Sequence, residues 1–184
     1  MADTSVSTEN ELIGAPFSPA LYGRAQALLA LARERGLRVA TAESCTGGLV
    51  GGLLTAVPGS SDVVEGGFIT YSNKAKHTVL GVPEALLARF GAVSEPVARA
   101  MAEGVLAKLP TADVAVAVTG VAGPGGGSPE KPVGLVHFAA ARRDGQVLHA
   151  VHRFTDDGRA AIRLRSVAAA LALLEQIAGA PVAA

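Results

Sequence analysis

Ala112 to Thr119 is a Val-rich apolar run that ends in Thr119-Gly120. Such a strand shows no polar side to water, so it must be central and covered on both faces. The rest of the chain supplies helices to cover it. Leu21, Ala25, Leu28, Leu29 and Leu31 recur at helical spacing behind the cap and first-turn pair Ser18-Pro19, up to a stop at Gly36. Val97, Met101, Val105 and Leu109 form a second stripe, opened by Ser94-Glu95-Pro96 and stopped by Pro110. A last helix is predicted from about Arg159 to Ile177, started by Asp156 and Asp157 and ended by Gly179.

Further strands are read at Arg38 to Ala42 and Gly67 to Tyr71. Val133 to Arg142 and Gln146 to Phe154 read as a hairpin around Asp144-Gly145. Between them Ser72 and Asn73 can cap a helix that carries Lys74, Lys76 and His77 and ends at Gly81, and Pro83 can start another. This order predicts a three-layer α/β/α fold whose mixed β-sheet has helices on both faces. Residues 1–17 are polar and aperiodic and are expected to be a flexible tail; residues 18–180 are expected to form a single domain.

Composition narrows the function. Sixteen basic residues balance sixteen acidic ones without a dense cluster, which argues against a nucleic-acid partner. One cysteine allows no disulfide within the chain, and neither a signal peptide nor a bilayer-length apolar run is evident, so a cytoplasmic protein with no membrane partner is expected. The four histidines give no zinc-ligand pattern: His149 and His152 lie three apart and do not share a strand face. No metal or cofactor is expected. Phosphate-loop and dinucleotide fingerprints are missing, and the positions flanking Ser44 where a nucleophile elbow needs glycines hold Ala42 and Thr46.

Two segments attract chemistry. Gly120 to Pro132 holds five glycines and three prolines between apolar strands, a loop of the kind that carries function. Thr41 to Gly48, Thr-Ala-Glu-Ser-Cys-Thr-Gly-Gly, is a strand-to-helix turn. The first amides of the following helix lack internal partners there, so an anion or a developing oxyanion would be stabilised, and Gly47 and Gly48 permit close approach. Ser44 and Cys45 are two candidate nucleophiles beside the Glu43 carboxylate. The same composition also suits a capped turn with no chemistry.

Thr41 to Gly48, Thr70-Tyr-Ser-Asn73 with Lys76, Gly91-Ala-Val-Ser-Glu-Pro96, and Thr119-Gly-Val-Ala-Gly-Pro124 with Lys131-Pro-Val-Gly134 resemble the CinA C-terminal domain family, the nicotinamide-nucleotide amidohydrolases. The resemblance spans nearly all of Leu21 to Ile177. It implies hydrolysis of the carboxamide of nicotinamide mononucleotide to nicotinate mononucleotide and ammonia, in pyridine nucleotide salvage. It also implies a stand-alone form, since larger members carry an additional N-terminal domain for which residues 1–17 are too short. Its catalytic residues fall on Ser44, Tyr71 and Lys76. Lys76 would be the base if burial or nearby cations lower its pKa, and Tyr71 would orient it or relay its proton. Substrate contacts are implied at Glu43, Thr46, Gly47, Gly48, Asn73, Thr119, Gly120 and Gly123. Arg159 and Arg163 would be charge partners of the phosphate, although Asp156-Asp-Gly-Arg159 is spelled differently from the Gly-Asp-Arg usual in the family. Oligomeric state is left open, a homodimer being one arrangement. The alternatives are a non-catalytic nucleotide-binding domain of the same fold and an amidase built on Cys45.

Overall fold

The structure, a computed structural model, describes residues 17–179; the expected tail lies outside them apart from Phe17. In chain order the elements are α1 (Pro19–Glu34), β1 (Val39–Glu43), α2 (Leu49–Thr55), a 3-10 turn (Ser60–Asp62), β2 (Val64–Ile69), α3 (Asn73–Leu80), α4 (Glu84–Phe90), α5 (Glu95–Lys108), β3 (Val114–Gly120), β4 (Leu135–Arg142), β5 (Val147–Arg153) and α6 (Arg159–Gly179). The strands form one sheet in the order β2-β1-β3-β4-β5, with β1 parallel to β2 and β3, and the β3-β4-β5 pairs antiparallel. The expected mixed sheet with helices on both faces is what forms.

Strand alternation divides the core. Val114, Val116 and Val118 of β3, with Val136 and Phe138 of β4, face α1, α2 and α6. Ala115 and Ala117, with Ala139 and Ala141, face α3, α4 and α5. The valine side is filled by leucines of α1 and α6. Truncating one of them, such as Leu171 or Leu174, should cost roughly 3 kcal/mol through lost transfer energy and the cavity left behind. The alanine side admits its helices closely: a Cβ on Gly104 of α5 would collide with the Leu80 carbonyl at the end of α3.

Local signals account for the ends of the elements. Ser18 Oγ accepts from the Leu21 N–H at 3.3 Å to cap α1, and Ser72 Oγ accepts from the Ala75 N–H at 3.0 Å to cap α3, which stops at left-handed Gly81. Every strand differs from the sequence reading by one to three residues at one or both ends. The strand expected at Gly67 to Tyr71 lies three residues earlier at its start and ends at Ile69, so Tyr71 stands beyond it. β3 starts at Val114; just before it the Asp113 carboxylate accepts from the Arg38 N–H at 2.7 Å. The carboxyl ends of the parallel strands β1, β2 and β3 converge at Glu43, Ile69 and Gly120. In open α/β sheets, ligands bind in the crevice outside such ends.

Candidate active site

Beyond the end of β1 the chain turns through Ser44, and beyond the end of β2 it turns into α3, which brings Lys76 back over the sheet. Lys76 Nζ lies 2.9 Å from Ser44 Oγ. Lys76 is 1% exposed, and that burial pulls its pKa down to about 8 by disfavouring the ammonium. Its other partners are backbone carbonyls, Thr70 at 2.7 Å and Tyr71 at 3.4 Å. A neutral amine has two N–H donors and one lone pair. With the donors on these two carbonyls, the lone pair faces the Ser44 hydroxyl, the orientation a general base requires.

The Glu43 carboxylate, 1% exposed, points the other way. It accepts from the N–H groups of Gly48 at 2.9 Å, Val50 at 3.1 Å and Gly51 at 2.8 Å, the first turn of α2. This corrects two expectations. Glu43 is a helix cap facing away from the Ser44 side, and the amides expected to await a substrate anion at that helix start are held by the protein's own carboxylate. The Gly47 N–H donates to the Ser44 carbonyl at 3.0 Å and is likewise engaged within the turn. Gly48, at φ +94°, serves this cap and packs its Cα against Ile69.

Tyr71 is 62% exposed, and its hydroxyl accepts from Arg159 Nη2 at 3.1 Å, so the phenol sits at the rim and its peptide carbonyl is what touches Lys76. Arg159 Nη1 donates to the Gly123 carbonyl at 2.8 Å, which joins the glycine-rich loop to the first turn of α6. Arg163, one turn on, donates from Nη2 to the Thr46 carbonyl at 2.8 Å and lies against Gly47. Among the described residues, Arg163 Nε and the Thr46 hydroxyl are buried without a hydrogen-bond partner.

The remaining expected contacts divide. Thr119 lines the cavity and donates its hydroxyl to the Ala92 carbonyl at 2.9 Å. Gly120 also lines it, but what demands glycine there is the close approach of Val136 and the Leu135 carbonyl. Asn73 lies at the exposed start of α3 and is not among the residues that line the Ser44 cavity. Cys45 does line it, but burial pushes its thiol up to about 11, against the pull of nearby backbone N–H groups and Lys76.

The cavity has a volume of about 180 Å³, with Ser44 and Lys76 in its lining and Tyr71 and Arg159 at its mouth. Ala92, Val93 and Ala122 give it an apolar wall. The sequence reading assigned these three no role, although the motifs Gly91 to Pro96 and Thr119 to Pro124 contain them. It also missed a cross-strand pair, His137 Nδ1 at 3.1 Å from His149 Nε2, with Glu95 Oε2 3.5 Å from His149 Nδ1. Among the described residues no group of three or more His, Cys, Asp or Glu could hold a metal ion. None of their helices is long and apolar enough to cross a membrane.

A mixed five-stranded sheet with a serine–lysine pair at its parallel strand ends defines a domain of the CinA type. Residues 22–178 match the CinA C-terminal domain, and the chain belongs to that family. Nicotinamide-nucleotide amidohydrolase PncC of Enterobacter agglomerans is 53% identical over 134 residues, covering 73% of this chain and 80% of the relative. A CinA-like protein of Synechococcus sp. strain CC9902 is 53% identical over 156 residues, 82% of this chain and 37% of its own length. The chain spans about a third of the length of several such CinA-like relatives. Among solved structures, competence/damage inducible protein CihA of Agrobacterium tumefaciens has a TM-score of 0.85 at 51% identity, covering 88% of this chain and 97% of that one. A CinA superfamily protein of Escherichia coli has a TM-score of 0.81 at 36% identity, covering 88% and 93%.

Proposed function

We propose that this chain is an amidohydrolase that converts nicotinamide mononucleotide to nicotinate mononucleotide and ammonia, with Ser44 as nucleophile and Lys76 as base. The observation that carries the reading is the 2.9 Å approach of a buried, pKa-lowered lysine to a serine hydroxyl in a cavity. The 53% identity to a nicotinamide-nucleotide amidohydrolase supports the substrate.

Neutral Lys76 takes the Ser44 proton as Oγ bonds to the carboxamide carbon, and the carbonyl oxygen becomes an oxyanion. With Gly47, Gly48, Val50 and Gly51 engaged elsewhere, the turn's donors for that oxyanion are the N–H groups of Cys45 and Thr46, which lie beside the Cys45 sulfur and would contribute about 3 kcal/mol each once turned to the oxyanion. Lys76 returns its proton to the departing nitrogen, the C–N bond breaks, and ammonia leaves an ester on Ser44. Lys76 then takes a proton from water as that water attacks the ester carbon. Collapse breaks the ester C–O bond, Oγ regains the proton, and the acid is released. The Tyr71 carbonyl helps to aim Lys76 and its hydroxyl holds Arg159, while Arg159 at the mouth receives the substrate phosphate. Arg163 supports the Thr46 turn from behind.

The test is incubation with nicotinamide mononucleotide and with the riboside, followed by ammonia release and mass-spectrometric product analysis. The mononucleotide should yield the acid and the riboside should react far more slowly. No product from folded protein would sink the reading, and equal efficiency for the two would remove Arg159 from phosphate binding.

A further inference from the structure

The Ser44 cavity, at about 180 Å³, is smaller than the ~300 Å³ lower bound typical of sites that enclose a whole ligand. That is room for a carboxamide and its ring, which would leave the rest of a nucleotide outside. Beside it lies a second cavity of about 490 Å³ in which the apolar Phe90, Leu135 and Val151 stand among the charged Glu95, Glu130, Lys131 and Arg153. Val93 lines both cavities. It is half-buried, and its side chain is the largest in the apolar wall formed with Ala92 and Ala122.

The backbone that carries Val93 is pinned. Thr119 Oγ1 donates to the Ala92 carbonyl at 2.9 Å, Ser94 Oγ donates to the Gly91 carbonyl at 2.9 Å, and Lys131 Nζ donates to the Phe90 carbonyl. A segment held at three successive points cannot collapse into space vacated by a side chain, so shortening Val93 opens volume and does not shift the wall.

We propose that Val93 is the specificity-determining partition of this site: it limits the ring accepted beside Ser44, and its removal joins the ring cavity to the larger one. The assignment rests on the carboxamide reading for the identity of the ring. The added space offers Phe90, Leu135 and Val151 to a flat second ring and the Glu95 and Glu130 carboxylates to a cationic one, so the ligands admitted are fused aromatic carboxamides with a charged ring nitrogen.

The experiment measures calorimetric binding of 1-methylnicotinamide, 1-methylquinolinium-3-carboxamide and 2-methylisoquinolinium-4-carboxamide, whose added rings lie on different edges. Wild type is compared with Val93→Ala and with Val151→Ala, which alters the second cavity alone. Wild type should favour the single ring, and Val93→Ala should improve the relative affinity of at least one fused ligand by about tenfold or more. Val151→Ala should leave the ratio as in wild type. An unchanged ratio in folded Val93→Ala, or an equal shift in Val151→Ala, overturns the proposal. Binding needs no turnover, so a wild type that releases no ammonia from nicotinamide mononucleotide would refute the proposed reaction while the affinity ratios still decide the role of Val93.

Discussion

The Tyr71 hydroxyl accepts a hydrogen bond from Arg159 Nη2 across 88 positions of sequence, joining the turn after β2 to the first turn of α6 at the cavity mouth. If the pair acts as one unit, Tyr71→Phe and Arg159→Gln will not be additive in kcat/KM. The expected coupling is about 1 kcal/mol, read from a double-mutant cycle. Strict additivity would mean that the two side chains work separately and would return a proton-relay role to Tyr71.

Lys76, the proposed base, should set the pH dependence. As a base it must be neutral, so activity should climb as pH passes through about 8 and level off above it. Stability carries the same sign: the folded protein disfavours the charged lysine, so the penalty is constant below about 8 and is relieved as pH rises towards the ordinary 10.5. In denaturant titrations between pH 7 and 10.5 the stability of wild type relative to Lys76→Met should rise, while the raised Cys45 thiol pulls both proteins the other way above its ordinary 9. A rate profile flat from pH 6 to 10 would exclude Lys76 as the base.

Cys45 stands next to Ser44, but with a thiol near 11 it is ionised to only about one part in ten thousand at neutral pH. Cys45→Ser should therefore keep most activity while Ser44→Ala loses it, and Ser44→Ala with Lys76→Met should be no worse than the poorer single variant. Near-normal turnover in Ser44→Ala, with loss on thiol alkylation, would transfer the chemistry to Cys45.

For Glu43 the expectation is structural. Glu43→Ala leaves three amides of α2 without their acceptor and should destabilise the fold by roughly 3 kcal/mol, with Glu43→Gln milder. Thermal melts read the first effect directly. An unchanged melting temperature with a raised KM would make Glu43 a substrate contact after all.

The layers of the fold were legible because they depend on period and punctuation. The Val-rich run of β3, the stripe of α5 and the Asp144-Gly145 hairpin each announce themselves over a few consecutive residues. Ser44 and Lys76 were named through motif resemblance, and their contact spans 32 positions that no local pattern encodes. What escaped depends on register and direction. His137 and His149 meet because β4 and β5 pair with His137 opposite Val151, and nothing in the spacing of either strand states that alignment. The Glu43 carboxylate was read towards the substrate because a strand end fixes where a residue is but not which layer it faces.

Glu43 and Ser44 are consecutive at a strand end, where neighbouring side chains leave on opposite sides of the sheet. The three bonds that tie the carboxylate to α2 thus act as a counterweight to the hydroxyl: fixing one arm behind the sheet sets the aim of the other in front of it. The proposed nucleophile is sighted from the valine side of the core, by a carboxylate that is itself buried. Changes on the cavity side, at Val93 or along the glycine-rich loop, can then remodel what is bound while leaving the firing line of Ser44 where it was.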